Sequence, residues 1–216
     1  MMKQYKSQII ITSLITLLPM AVGLLLWTQL PDKMAIHFDS DNVANGWGSK
    51  MFVVLGFPLI ILGAHLLAAY ITAHDPRRRN ISGKIYSLCL WICPICSLLA
   101  GFAIYANALG MKLDHSRIAG FVLGLLFMII GSYMPKIRHN YTIGIKVPWT
   151  LHDEDNWNCT HRFAGRLWML GGAALIISVM SGGMEAGLWV IILLAVVPMI
   201  YSLVYDLKKR RDSSEK

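Results

Sequence analysis

The chain has 216 residues, of which 56% are hydrophobic and only 15% charged, with a formal net charge of +8. A soluble domain carries about 25% charged residues, so this composition argues against a water-soluble enzyme of that length and makes the bilayer the solvent to expect. The positive charges sit at the ends of apolar runs and not along one amphipathic surface, which points to anionic lipid headgroups and away from direct nucleic-acid contact.

A helix needs roughly 20 apolar residues to cross the hydrocarbon. Six runs qualify, near Ile9 to Gln29, Met51 to Thr72, Ile85 to Asn107, Ile118 to Met134, Leu167 to Ser181 and Ala186 to Tyr205. The fold class expected is therefore all-α: an integral membrane helical bundle of six transmembrane helices. The first run follows Lys3 and Lys6 as a signal peptide does, but it is too long and no Ala-x-Ala site follows, so it reads as an uncleaved anchor. The fifth is short and is expected to start earlier.

The first polar segment, 30–50, contains His37-Phe38-Asp39, a short run suited to an extended conformation, and Asn45-Gly46, a strong turn signal. His65, in the second span, is the only ionisable group apart from thiols near the membrane midplane. It reads as a proton relay or as a neutral histidine bonded to a neighbouring helix, and the second is the less costly state. Arg77, Arg78 and Arg79 in the short loop 73–84 read as topology determinants. Cys89, Cys93 and Cys96 share a helix face beside Pro94, where buried packing explains them better than a soft-metal site. Gly120 with Gly124, and Gly171-Gly172 with Ala173-Ala174, suit close helix packing. No internal repeat of the kind many transporters carry is evident.

The second polar segment, 135–161, interrupts the apolar pattern with Tyr141, Trp149 and Trp157 between apolar spans, a composition unlike disorder. Pro148 restricts Val147 to an extended conformation, Thr150 is a suitable helix cap with Asp153 three residues on, and Asp153, Glu154 and Asp155 suit a first helical turn. A helix starting here could run through Trp157 and His161 into the fifth span. His152, Asp153, Glu154, Asp155, Cys159 and His161 do not fall on one face at helical spacing, so no metal and no cofactor are assigned and no catalytic residue is named.

Positive loops stay cytoplasmic. With the amino terminus inside, sixteen of the 20 Lys and Arg fall on inner segments, leaving Lys33, Lys50, Lys112 and Arg117 outside. Both termini and the 135–161 loop are then cytoplasmic, Cys159 lies on the reducing side, and segment 30–50 is outside. The domain reading is a two-helix module over 1–72, a basic loop 73–84, a four-helix module over 85–206 and a basic tail 207–216.

The run Asn140-Tyr141, Gly144-Ile145, Pro148-Trp149-Thr150-Leu151, Glu154, Trp157, Thr160-His161-Arg162 resembles the signature segment of the SdpI family of bacterial membrane immunity proteins. The segment Leu-Pro-Asp…His-Phe-Asp…Gly-Trp-Gly-Ser-Lys, ending at Lys50, resembles an uncharacterised domain often found ahead of the SdpI module, with Ala35 standing where proline is expected. The resemblance implies a multi-pass inner-membrane protein without enzymatic activity that gives resistance to a secreted antimicrobial peptide toxin, and signal transduction through capture of a cognate cytoplasmic repressor. On that reading His37, Phe38, Asp39 and Trp47 would meet the peptide outside. Tyr141, Gly144, Pro148, Trp149, Thr150, Glu154, Trp157, His161 and Arg162 would bind a partner or hold the helices in a responsive arrangement inside. A small transporter or channel, and a membrane enzyme using Glu154 and His161, are the alternatives from other classes.

Overall fold

The computed structural model describes residues 1–39 and 41–214; Ser40 of the first polar segment and Glu215 and Lys216 of the basic tail lie outside them. Six helical stretches among the described residues are long and apolar enough to cross a membrane: Lys6–Leu25, Phe52–Ala73, Gly83–Ala108, His115–Lys136, Glu154–Met180 and Gly187–Ser214. The chain is thus mostly helical and multi-pass, as its apolar runs require. The fifth helix starts 13 residues before the apolar run, at Glu154, because its first turns are polar and serve the preceding loop.

By contact the chain divides into two units, Met1–His74 with Gly83–Ser116, and Asp75–Ser82 with Arg117–Lys216. In the first unit, α1 (Lys6–Thr16) and α2 (Leu18–Leu25) are separated at Leu17, because Pro19 has no N–H to continue the ladder. Ser97 and Tyr105 of α4 (Gly83–Ala108) donate to Thr16 and Pro19 carbonyls at 2.8 and 2.9 Å. His65 of α3 (Phe57–Ala73) lies fully buried with Nε2 3.0 Å from Thr12 Oγ1, the neighbouring-helix bond anticipated for a neutral imidazole. Tyr86 of α4 donates to the Ala69 carbonyl at 3.1 Å.

Between α2 and α3 the chain forms an antiparallel hairpin, β1 (Lys33–Phe38) and β2 (Ala44–Ser49), pairing Lys33 with Ser49 and Ala35 with Trp47. The extended run at His37-Phe38 is therefore real, but the turn is not at Asn45-Gly46, which lies inside β2 opposite His37. Asp39 makes the turn instead: its Oδ1 accepts the N–H groups of Asp41 and Val43 at 3.0 and 2.9 Å, and Asn42 takes the left-handed conformation with φ 61°. Asn42 is fixed in turn by donating to Asp114 Oδ1 at 2.9 Å. Leu30, Met34, Val53, Val54, Ile104 and Tyr105 form the buried cluster under the hairpin.

In the second unit, α5 (His115–Tyr133) and α7 (Glu154–Met180) approach through glycines. A Cβ on Gly124 would stand 2.7 Å from the Gly172 carbonyl oxygen, and one on Gly172 would stand 2.5 Å from that of Gly124. α8 (Met184–Ser214) contains Pro198, which leaves the Leu194 carbonyl without its helical donor. Trp168 of α7 supplies one, its indole N–H donating to that carbonyl at 2.8 Å. Trp168 is thus a hydrogen-bond partner within the helix pair.

Candidate functional site

After a 3₁₀ turn, Met134–Lys136, residues 137–147 run without regular structure to a short helix, α6 (Pro148–His152), and then to α7. Pro148 occupies the first helical position, where its missing N–H is no loss. Thr150 does not cap the long helix. It is the third residue of α6, where its hydroxyl accepts the Val147 N–H at 3.1 Å and donates to the Ile145 carbonyl at 2.8 Å, closing the loop from inside. Asp153 is the cap of α7, accepting the Asp155 N–H at 2.9 Å.

The middle of the loop is a buried aromatic pile. Trp157 is completely buried, donates from Nε1 to the Ile137 carbonyl at 2.8 Å, and stacks on His161 with ring centres 4.0 Å apart. His161 is bonded at both nitrogens: Nδ1 lies 2.8 Å from the Trp157 carbonyl, which only accepts, and Nε2 receives the Ile145 N–H at 3.1 Å. Those partners fix a neutral ring with its proton on Nδ1. Gly144 closes over both rings with φ +125°, and a Cβ there would lie 2.9 Å from Trp157.

Side chains from outside the loop complete it. Asp75, almost fully buried, accepts the Tyr141 N–H at 2.9 Å and the Thr142 hydroxyl at 2.5 Å through Oδ2, while Oδ1 accepts the Arg77 N–H at 2.6 Å. Asn80 donates to the His139 carbonyl at 2.7 Å, and Arg77 reaches His139 Nδ1 and lies over the Tyr141 ring. Asn140 accepts the Thr142 and Ile143 N–H groups and donates to the Arg138 and Ile143 carbonyls. On the α8 side, Trp149 donates to Ser202 Oγ at 2.7 Å, Asn156 donates to the Ser202 carbonyl at 2.9 Å and accepts the Thr160 hydroxyl at 2.9 Å.

At the start of α7, Lys209 bridges Asp153 and Asp155 at 2.8 and 3.0 Å. Burial pushes the Asp153 carboxyl up, but the Lys209 ammonium and the N–H groups of Asp155 and Asn156 outweigh it and hold its pKa below the usual carboxylate value. His139 is shifted below the ordinary histidine value by burial first, and then by the Arg77 guanidinium.

The signature positions therefore divide. Thr150, Trp157 and His161 are buried, Gly144 is half-buried over the two rings and Trp149 half-buried against Ser202, whereas Tyr141, Pro148, Glu154 and Arg162 are each exposed. Asp75, Asn80, His139, Asn156 and Ser202 were not singled out from the sequence, and Arg77 was read only as a topology determinant. Asp75 before Pro76 and Asn140 before Tyr141 carried a local signal, since Asx side chains bond backbone two residues on. In the hairpin set, His37 and Trp47 are exposed and Phe38 and Asp39 half-buried. His37 bonds Asn45, Phe38 stacks on His115 at 3.8 Å and Asp39 caps the turn, while Trp47 is 60% exposed.

Comparison with known proteins bears on these same segments. Residues 136–206 match the SdpI/YfhL protein family, and residues 14–62 match a domain of unknown function (DUF1648). Over 202 residues, 92% of each chain, the protein is 25% identical to a protein of Bacillus subtilis (strain 168) described as Immunity protein SdpI. Residues 136–206 are thus an SdpI-family segment, and the similarity to the immunity protein extends over most of the chain. No solved structure matches it. The match to the SdpI family model begins at Lys136, at the end of the 3₁₀ turn, and so takes in the whole aromatic pile, α7 and all but the end of α8. Asp75, Arg77 and Asn80, which tie the SdpI-family loop down, lie outside both matched segments.

Proposed function

We propose that this protein is an SdpI-like, multi-pass immunity protein of the bacterial inner membrane, protecting its cell from a secreted antimicrobial peptide by binding and not by catalysis. The observation that carries this reading is the match to the Bacillus subtilis immunity protein over 92% of both chains, which includes the hairpin as well as the signature loop. The distribution of Lys and Arg favours cytoplasmic termini, an outer hairpin and an inner loop.

On that orientation Trp47 is the contact residue of the hairpin, an exposed indole offering a large apolar face to a peptide. His37, Phe38 and Asp39 shape the strand and turn beneath it. On the inner side the exposed Tyr141, Pro148, Glu154 and Arg162 meet a cytosolic partner, such as a repressor held at the membrane during signalling. The buried residues keep those positions in one arrangement. Expression in a sensitive strain, followed by challenge with secreted antimicrobial peptides, tests the reading. Growth at peptide concentrations that stop the empty-vector strain supports it, and equal sensitivity across the peptides removes the immunity role.

A further inference from the structure

His139 has a contact that only one of its protonation states can make. The ring is 3% exposed, and its Nδ1 lies 2.5 Å from Arg77 NH1. A guanidinium nitrogen only donates, so Nδ1 must carry a lone pair and the proton must sit on Nε2. That Nε2 is buried without a hydrogen-bond partner among the described residues. The contact joins two stretches far apart in sequence: residues 75–82, which link α3 to α4, and the 137–147 stretch of the signature loop. Asn80, bonded to the His139 carbonyl, and Asp75, bonded to Tyr141 and Thr142, lie on either side of it.

We propose that the Arg77–His139 contact is a latch that acid opens: a second ring proton sets imidazolium against guanidinium at hydrogen-bond distance, and residues 75–82 then let go of the signature loop.

The charged and titratable groups facing His139 set the direction. From the 75–82 segment come Arg77 and Asp75, whose carboxylate is occupied by the Arg77, Tyr141 and Thr142 donors. From its own loop comes Tyr141, with ring centres 6.4 Å apart. From α6 comes the Leu151 backbone, and from the start of α7 come Asp153 and Glu154, all of which favour the imidazolium, while His161 is neutral and bonded at both nitrogens. The nearest cation thus opposes the proton from hydrogen-bond distance, while the carboxylates of Asp153 and Glu154 favour it less strongly. A buried histidine held below its free value binds a proton more readily when released. Closure is therefore complete above about pH 6.5, the free imidazole value, and is lost as pH falls through the depressed one.

Hydrogen exchange of the full-length protein in detergent micelles, corrected for intrinsic rates, tests this between pH 7.5 and 5.0. The amides of Tyr141, Thr142, Ile143 and Ile145 should lose protection severalfold on acidification, the direction set by a histidine that binds its proton more weakly in the closed loop. In His139→Asn, which keeps an acceptor near the Nδ1 position and cannot be protonated there, protection should not change with pH. In Arg77→Gln, which keeps a donor without the charge, the loss should be smaller than in the unaltered protein. Protection that is unchanged on acidification overturns the latch, as does an equal loss in His139→Asn. Should His139→Asn lack protection even at pH 7.5, Arg77→Gln and the ring resonances of His139 decide: a ring that titrates near pH 6.5 while the loop stays protected also overturns it. None of these readouts depends on the immunity role, so the latch and that role fail separately.

Discussion

At the scale of single residues, Trp157 and His161 stack because four positions of a helix bring them to one face, and the backbone at Gly144 can cover both only in a conformation that side chains resist. Gly144→Ala should destabilise the loop by about 1–3 kcal/mol, the range for a strained left-handed residue, and the reading is the loss of protection at the Ile145 amide. Trp157→Phe keeps an aromatic ring but leaves the Ile137 carbonyl without its donor, a buried loss of about 1–3 kcal/mol, read as a lower thermal midpoint in micelles. Unchanged values in either variant would mean that the pile does not hold the loop. The sequence made the loop's order legible, since Pro148, Trp149 and Trp157 do not belong in a disordered linker. It did not make legible which side of the pile each residue faces: a tryptophan in a polar insert reads equally well as a contact surface and as a core. Nor could it pair Asp75 with Thr142 or Arg77 with His139, because partners more than 60 positions apart leave no local periodicity.

At the scale of elements, the six helices were legible because hydrocarbon demands both length and apolarity, a requirement strong enough to survive the glycines and prolines within them. The start of α7 was only partly legible. Thr150 and Asp153 are both good caps, and the chain uses the first to hold the start of α6 and the second to begin the long helix. The hairpin turn was misread for a similar reason, since two turn-forming sites compete within ten residues and the Asp39 carboxylate, bonded to two backbone N–H groups, outweighs Asn45-Gly46. The contact between α5 and α7 yields a sharp prediction. Gly172→Ala puts a methyl 2.5 Å from the Gly124 carbonyl oxygen, an overpacking that should cost about 1–3 kcal/mol. Gly63→Ala in α3, where a Cβ meets nothing within 4 Å, should be neutral or stabilise by about 0.5–1 kcal/mol. Thermal unfolding of the two variants side by side checks this, and equal midpoints would show that the glycine contact does not govern the helix pair.

At the scale of the whole molecule, binding on two faces and transport through the interior make different demands on His65. Its Nε2 is bonded to Thr12 within a buried helix contact. His65→Gln, which keeps a hydrogen-bonding group without a titrating ring, should therefore leave peptide protection within about twofold of the unaltered protein, a change under 0.5 kcal/mol. Loss of protection with normal membrane insertion would favour a relay or transport role. The proposed division of labour, with the hairpin toward the secreted peptide and the aromatic loop toward the cytosol, rests on orientation. The most direct measurement is thiol labelling in a variant with Cys89, Cys93, Cys96 and Cys159 replaced by alanine, carrying either Asp41→Cys in the hairpin turn or Asn158→Cys on the exposed side of α7. A membrane-impermeant maleimide should label the Asp41→Cys variant in intact cells and the Asn158→Cys variant only in inverted vesicles. Labelling of the Asn158→Cys variant from outside intact cells would contradict the account.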